Sequence, residues 1–343
     1  MQFTSRREFI HVLACGMSSC FLPPSILAAG GFPPGATPYP TRSFPTPTNI
    51  NHLSCAVRDY AESRDFYVGL FGMRVGWDNG KQCALEFGNP MAPNGLYIRP
   101  VTRATDKPEI GHIAYGVPDF MKYKSAIKSE MERYQLAQIR PDGELGWICN
   151  DPAGYMLNIV VEKDKAMFPG AAEPCDVAGS QKCREAYQEG VKNIGSASKT
   201  TKRGFTAQYF SNVVLNVPES RFPTEAEFYR DMMGMKEIYS ATGTSPIAFL
   251  RFGQNTLYLQ KTPSPNDKPF CTHFGLVIDN YESRKVEAEL RRWGLAPKPN
   301  SRLALTVTDP NGFLLEVAGP GLPEHIANDC NGTSATCPGG VRG

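Results

Sequence analysis

Three histidines in this chain stand near the start of strand-like segments of one recurring pattern. An imidazole repeated at an equivalent position is what a divalent-metal site requires. His52 leads H-L-S-C-A-V, His112 leads H-I-A-Y-G-V and His273 leads H-F-G-L-V-I. Successive side chains of a strand point to opposite faces. Leu53, Cys55 and Val57 therefore form an apolar face, with His52, Ser54 and Ala56 opposite. In the other segments His112, Ala114 and Gly116 oppose Ile113, Tyr115 and Val117, and His273, Gly275 and Val277 oppose Phe274, Leu276 and Ile278. A fourth segment opens on Asn212 instead of histidine. A polar leader followed mostly by small residues leaves room above the sheet, so this face reads as the wall of a cup. Glu316, on the segment after Asp309-Pro310-Asn311-Gly312, is the candidate carboxylate, and Asn158 holds the matching place after Asp151-Pro152-Ala153-Gly154. The competing readings are a packed strand histidine and a salt-bridged strand glutamate.

Four landmarks recur in the same order. F-Y-V-G-L-F-G-M at Phe66 matches F-Y-R-D-M-M-G-M at Phe228, L-E-F-G matches L-R-F-G, G-H-I-A matches T-H-F-G, and D-P-A-G matches D-P-N-G. Their offsets lie between 158 and 165 residues. The chain is thus a tandem duplication, and each copy is doubled again as strand, helix and three strands. In the first copy a strand over Ile50–Val57 precedes a helix over Tyr60–Leu70. Phe120, Tyr123, Ile127, Met131 and Tyr134 then recur at helical spacing, with Asp119 as the expected cap. In the second copy Thr224 and Glu227 read as a capping box, and Gly294 as the stop of a later helix. The expected fold class is α+β: four βαβββ motifs paired into two cup-shaped half-barrel modules.

The boundaries read as a signal over residues 1–29, a proline-rich spacer over 30–48, module 1 over 49–162, a linker over 163–207, module 2 over 208–319 and a cysteine-containing tail over 320–343. Arg6-Arg7 with Phe9, a weak apolar run and Ala28-Ala29 have the order of a twin-arginine signal. This predicts a periplasmic or secreted protein, with lipoprotein anchoring through Cys15 or Cys20 the lesser alternative. A formal charge of +2 with 20% charged residues gives no basic footprint for nucleic acid. The apolar run is too short for a stable membrane span. The expected state is monomer or homodimer, with a small-molecule substrate as partner. Cys55, Cys83, Cys149 and Cys271 read as buried small hydrophobes. In an oxidising compartment Cys175 is expected to pair with Cys183, and Cys330 with Cys337.

The strand-initial histidines, the F-Y-x-x-x-x-G-M turn, the G-H or T-H strand and D-P-x-G followed by Glu together resemble the vicinal oxygen chelate superfamily. That superfamily includes glyoxalase I, extradiol dioxygenases and bleomycin-resistance proteins. The resemblance spans residues 49–319 and implies ligands on the first and last strands of each motif. Those positions are His52 and Tyr97, His112 and Asn158, Asn212 and Tyr258, and His273 and Glu316. If the motifs pair within each copy, neither cup holds two histidines and a carboxylate. Pairing of the first motif with the fourth, as in fused glyoxalases of the family, would unite His52, His273 and Glu316 around one divalent iron, manganese, zinc or nickel ion. That arrangement is the expectation, with His112 as the alternate ligand and Tyr97 as a proton donor. It implies an exported metal-dependent lyase, isomerase or dioxygenase. The stretch P-K-P-N-S-R-L-A-L-T-V-T before Asp309 lacks the further His and Tyr usual in extradiol dioxygenases. A metal-free binding protein for small aromatic or cationic compounds is the alternative, with Trp77, Trp147 and Trp293 as pocket candidates or, more simply, buried core.

Overall fold

The structure is a computed structural model that describes residues 42–90, 92–162, 204–241, 246–262, 264, 266–322 and 325. The twin-arginine segment, most of the proline-rich spacer, Cys175, Cys183, Cys330 and Cys337 lie outside the described residues.

Module 1 runs β1 (Asn49–Val57), α1 (Tyr60–Phe71), β2 (Arg74–Asp78), β3 (Cys83–Phe87), β4 (Asn94–Pro100), β5 (Glu109–Val117), α2 (Phe120–Arg133), β6 (Ala137–Pro141), β7 (Gly146–Asn150) and β8 (Met156–Val161). Module 2 repeats the order as β9 (Ala207–Val217), α3 (Phe222–Glu227), β10 (Lys236–Ala241), β11 (Ile247–Phe252), β12 (Asn255–Lys261), β13 (Phe270–Ile278), α4 (Ser283–Arg292), β14 (Lys298–Ser301), β15 (Ala304–Thr308) and β16 (Leu314–Ala318). Four βαβββ motifs are present, as the sequence pattern predicts.

α1 starts where Asp59 accepts from the N–H groups of Ala61 and Glu62, and stops at Gly72, whose φ of 62° suits a left-handed cap. The other helix starts differ from expectation. Asp119 precedes α2 with φ 51° and makes no side-chain cap. Thr224 lies inside α3 instead of at its start: a 3₁₀ turn over Glu219–Arg221 leads directly into α3, and Pro223 lies in its first turn, where a missing N–H costs nothing. The chain then continues as a π-helical turn over Phe228–Met232. Gly294, at φ 77°, follows the last turn of α4 as expected.

Within each module the two motifs pair through their first strands. β1 runs antiparallel to β5 and parallel to β4, and β9 runs antiparallel to β13 and parallel to β12. β5 carries β8 and β13 carries β16, both parallel. The expected pairing of the first motif with the fourth is therefore not formed. The physical reason is proximity along the chain: β5 follows β4 after a short connection, and consecutive elements usually lie side by side, so β5 occupies the free edge of β1. The modules join edge to edge, with Cys271 of β13 opposite Ile110 of β5, so the described strands form one open, unclosed sheet.

The apolar strand faces and the helices make the core. Leu53, Cys55 and Val57 are buried, as are Ile113, Tyr115 and Val117. Aromatic rings cross between modules: Phe87 meets Phe210 at 4.9 Å, Tyr115 meets Phe252 at 5.4 Å and Tyr67 meets Phe274 at 6.3 Å. Cys55, Cys83, Cys149 and Cys271 are buried free thiols. The tryptophans are only partly buried, and the indole N–H groups of Trp147 and Trp293 donate to the Lys124 carbonyl and the Glu289 carboxylate.

Candidate metal centre

The cup of module 1 places His52 against His112. Their Nε2 atoms lie 3.1 Å apart and the two rings meet edge to face. β1 brings His52 in from a bulge: its register against β5 shifts between Ile50 and His52. A bulge turns two neighbouring side chains toward the same side, so Asn51 reaches His52 although simple alternation would separate them. Asn51 Nδ2 donates to the Val161 carbonyl at 3.2 Å, which turns its Oδ1 toward His52 Nδ1 at 2.9 Å. His52 Nδ1 must then carry the proton, and Nε2 keeps its lone pair. Sequence reasoning missed Asn51, and only the bulge reveals it.

The surrounding groups keep both imidazoles neutral. Burial pushes His52 well below the usual histidine range, with His112 a smaller cause. Burial, then the guanidiniums of Arg99 and Arg140, lower His112 to about 4. Tyr97 stacks on His52 with ring centroids 4.4 Å apart, and burial raises its phenol, so it stays protonated. Pairing across β1, β5 and β8 sets His52, Ala114 and Asn158 in one row. Asn158 Nδ2 donates to Asp142 Oδ2 at 2.7 Å, which leaves its buried Oδ1 without a hydrogen-bond partner.

The expected set of His52, His273 and Glu316 does not assemble. Glu316 and His273 belong to module 2, while His52 lies in the other cup beside His112. In module 2 Gly275 pairs with Glu316 and the Asn212 side chain lies over Gly275, so these three residues stand where module 1 has Asn158, Ala114 and His52. Glu316 is fully buried, and its Oε1 accepts from Asn300 Nδ2. Burial raises its carboxyl to about 7, against the opposing effect of the Asn300 and Asn212 amides. Burial lowers His273 to about 4. Asn212 Oδ1 accepts from Ser211 Oγ at 2.5 Å. This cup is filled: Leu322, beyond β16, is buried with the cup-facing side chains Val214, Phe249, Tyr258 and Val277. Each module thus holds part of the ligand set that the family resemblance implies. Among the described residues no three His, Cys, Asp or Glu side chains converge as a metal group.

Residues 49–159 match the family model for the Glyoxalase/Bleomycin resistance protein/Dioxygenase superfamily. The Mn(II)-bound glyoxalase from Novosphingobium aromaticivorans superposes with a TM-score of 0.56 at 15% identity, covering 80% of this chain and 83% of that one. The fold is the vicinal oxygen chelate fold. A variant of homoprotocatechuate 2,3-dioxygenase from B. fuscum superposes with a TM-score of 0.57 at 14% identity, covering 82% of this chain and 73% of the other. The 2,3-dioxygenase LapB from Pseudomonas sp. KL28 gives 0.57 at 14% identity, covering 80% and 93%. No curated protein matches this chain in sequence. At these identities the likeness concerns the fold, and chemistry must be argued from the site.

Proposed function

We propose that this chain is an exported, metal-dependent enzyme of the vicinal oxygen chelate type whose working site is the module 1 cup. The observation that carries the reading is the His52–His112 pair. Two nitrogens bound at about 2.0–2.1 Å to one ion at octahedral to tetrahedral angles stand about 2.9–3.4 Å apart, and 3.1 Å falls inside that interval. Without metal the same distance suits a hydrogen bond from His112 Nε2–H to the His52 lone pair. Metal uptake then requires only that the His112 proton move to Nδ1. His52, His112 and the orphaned Oδ1 of Asn158 would hold the ion, and Asn51 and Asp142 orient their ligands from behind.

A divalent ion held there would supply Lewis-acid polarisation of vicinal substrate oxygens. The chain's own groups supply the rest. Arg99 and Arg140, the cations acting on His112, favour a substrate with negative charge. Tyr97, held protonated beside His52, is placed to donate a proton or a hydrogen bond.

The test is metal content of the purified mature chain, with stoichiometry by elemental analysis. One divalent ion per chain is expected, lost in His52→Ala and His112→Ala but kept in Glu316→Gln. Loss of metal in Glu316→Gln with retention in His112→Ala would overturn the assignment. A metal-free binding protein is the second reading. It is favoured by asparagine at the carboxylate position of module 1, and wild-type chain that takes up no ion would establish it.

A further inference from the structure

Each D-P-x-G turn receives a helical segment from the other module, and the two joints differ at one residue. In one joint Tyr67 of α1 donates to Asp309 Oδ2 at 2.8 Å, and Asn311 Nδ2 donates to Ser63 Oγ at 2.7 Å. In the other, Tyr229 donates to Asp151 Oδ2 at 3.2 Å. There Glu225 of α3 stands at the position that Ser63 holds in the first copy. Glu225 Oε2 accepts from the Ala153 N–H at 2.8 Å, while its Oε1 meets no hydrogen-bond donor. Asp151 Oδ1 is already taken by the N–H groups of Gly154 and Tyr155. Glu225 is 0% and Asp151 3% exposed. The duplication has thus placed two buried carboxyl groups where the twin joint has one.

We propose that Glu225 and Asp151 share a single proton that locks α3 onto the module 1 turn, making this joint a pH-sensitive latch between the modules. Two adjacent carboxylates removed from water cannot both ionise without heavy cost. The groups facing the pair are the neutral phenols of Tyr229 and Tyr115, the backbone N–H groups named above, and exposed Arg221. Burial, then the Asp151 charge, raises Glu225 well above the usual range, and burial raises Asp151 to about 6. Both folded-state values lie above the unfolded ones. The stabilisation is therefore complete below about pH 4 and is lost as pH rises through about 6 and beyond. Release would reach the module 1 cup, because the Asp151 turn leads into β8 with Asn158. Tyr155 of that turn also donates to the Ile110 carbonyl, two residues before His112.

Two measurements on the full mature chain test the latch. Glu225→Gln keeps the shape and a donor but removes the titration. In the infrared difference spectrum at neutral pH, wild type minus Glu225→Gln should show the carbonyl stretch of a protonated carboxylic acid. Urea unfolding followed from pH 5 to 8.5 should show the wild-type unfolding constant rising by up to about tenfold per pH unit for each titrating group, with one group's share missing in Glu225→Gln. No acid band and an unchanged slope would overturn the proposal. If Glu225→Gln fails to fold, Tyr229→Phe serves instead. It withdraws a donor from the Asp151 carboxylate and should move the pH window upward, and an unmoved window would likewise count against the latch.

Discussion

Tyr67→Phe isolates the joint that lacks a second carboxyl group. Tyr67 is 2% exposed, and its ring packs on Phe66, Phe71 and Phe274, contacts that phenylalanine retains. The change removes one hydrogen bond of 2.8 Å to the buried carboxylate of Asp309. A hydrogen bond to a charged buried group contributes about 1.5–3 kcal/mol. The folded state should lose about 2 kcal/mol at pH 7, close to a thirtyfold change in the unfolding constant. The sign of the pH dependence follows from Asp309. Burial already raises its carboxyl, and Tyr67 is the first of the groups that oppose the rise. Without that donor the folded-state value climbs further, so the variant's deficit should be largest where Asp309 must ionise and shrink as pH falls toward 4. Urea unfolding at pH 4 and pH 7 measures both quantities. A deficit below about 0.5 kcal/mol at pH 7, or one independent of pH, would refute the argument that this bond holds the modules together.

Other outcomes follow from the same contacts. Gly88 has φ +79°, and a Cβ there would lie 2.1 Å from the Gln208 carbonyl oxygen. Gly88→Ala should cost about 3 kcal/mol or more by strain and clash at the module boundary, and a denaturant midpoint equal to wild type would contradict this. Glu316→Gln should flatten the pH dependence of stability. The raised carboxyl contributes fully below about pH 4.3 and loses that contribution as pH rises through about 7, so the variant should exceed wild type in stability at pH 8. Replacing Arg6 and Arg7 by lysine should leave the precursor in the cytoplasm, and normal export of that variant would exclude the twin-arginine route.

How much of this was readable in advance depends on the range of the interaction. The duplication, the four motifs and the cup faces rest on periodicity along the chain, so His52, His112 and Asn158 could be placed on one kind of face from sequence. Which motifs pair is decided by strand edges, and composition does not encode that choice. The fused-glyoxalase precedent pointed to the wrong partner for β1, and the set of His52, His273 and Glu316 failed with it. Asn51 escaped for a different reason. Alternation assigns it to the face opposite His52, and the one-residue register shift against β5 overrides that rule.

The two cups divide between them the residues that the family resemblance implies as ligands. Module 1 keeps two imidazoles and has asparagine where module 2 has Glu316; module 2 keeps the carboxylate and has Asn212 where module 1 has His52. A buried carboxylate with no cation beside it is tolerable only if it is protonated or well bonded. Glu316 is pushed to about 7 with Asn300 and Asn212 around it, which is the behaviour of a carboxyl kept in a packed interior. Leu322 in the same cup points the same way, because a side chain buried among Val214, Phe249, Tyr258 and Val277 takes the space a substrate would need. The module 1 pair has the opposite character. Both imidazoles are held neutral, one is fixed in its tautomer by Asn51, and their Nε2 atoms face one another across 3.1 Å. The proposed metal site therefore belongs to the first copy, and the second copy contributes packing and the helix whose Glu225 accepts from the first copy's turn.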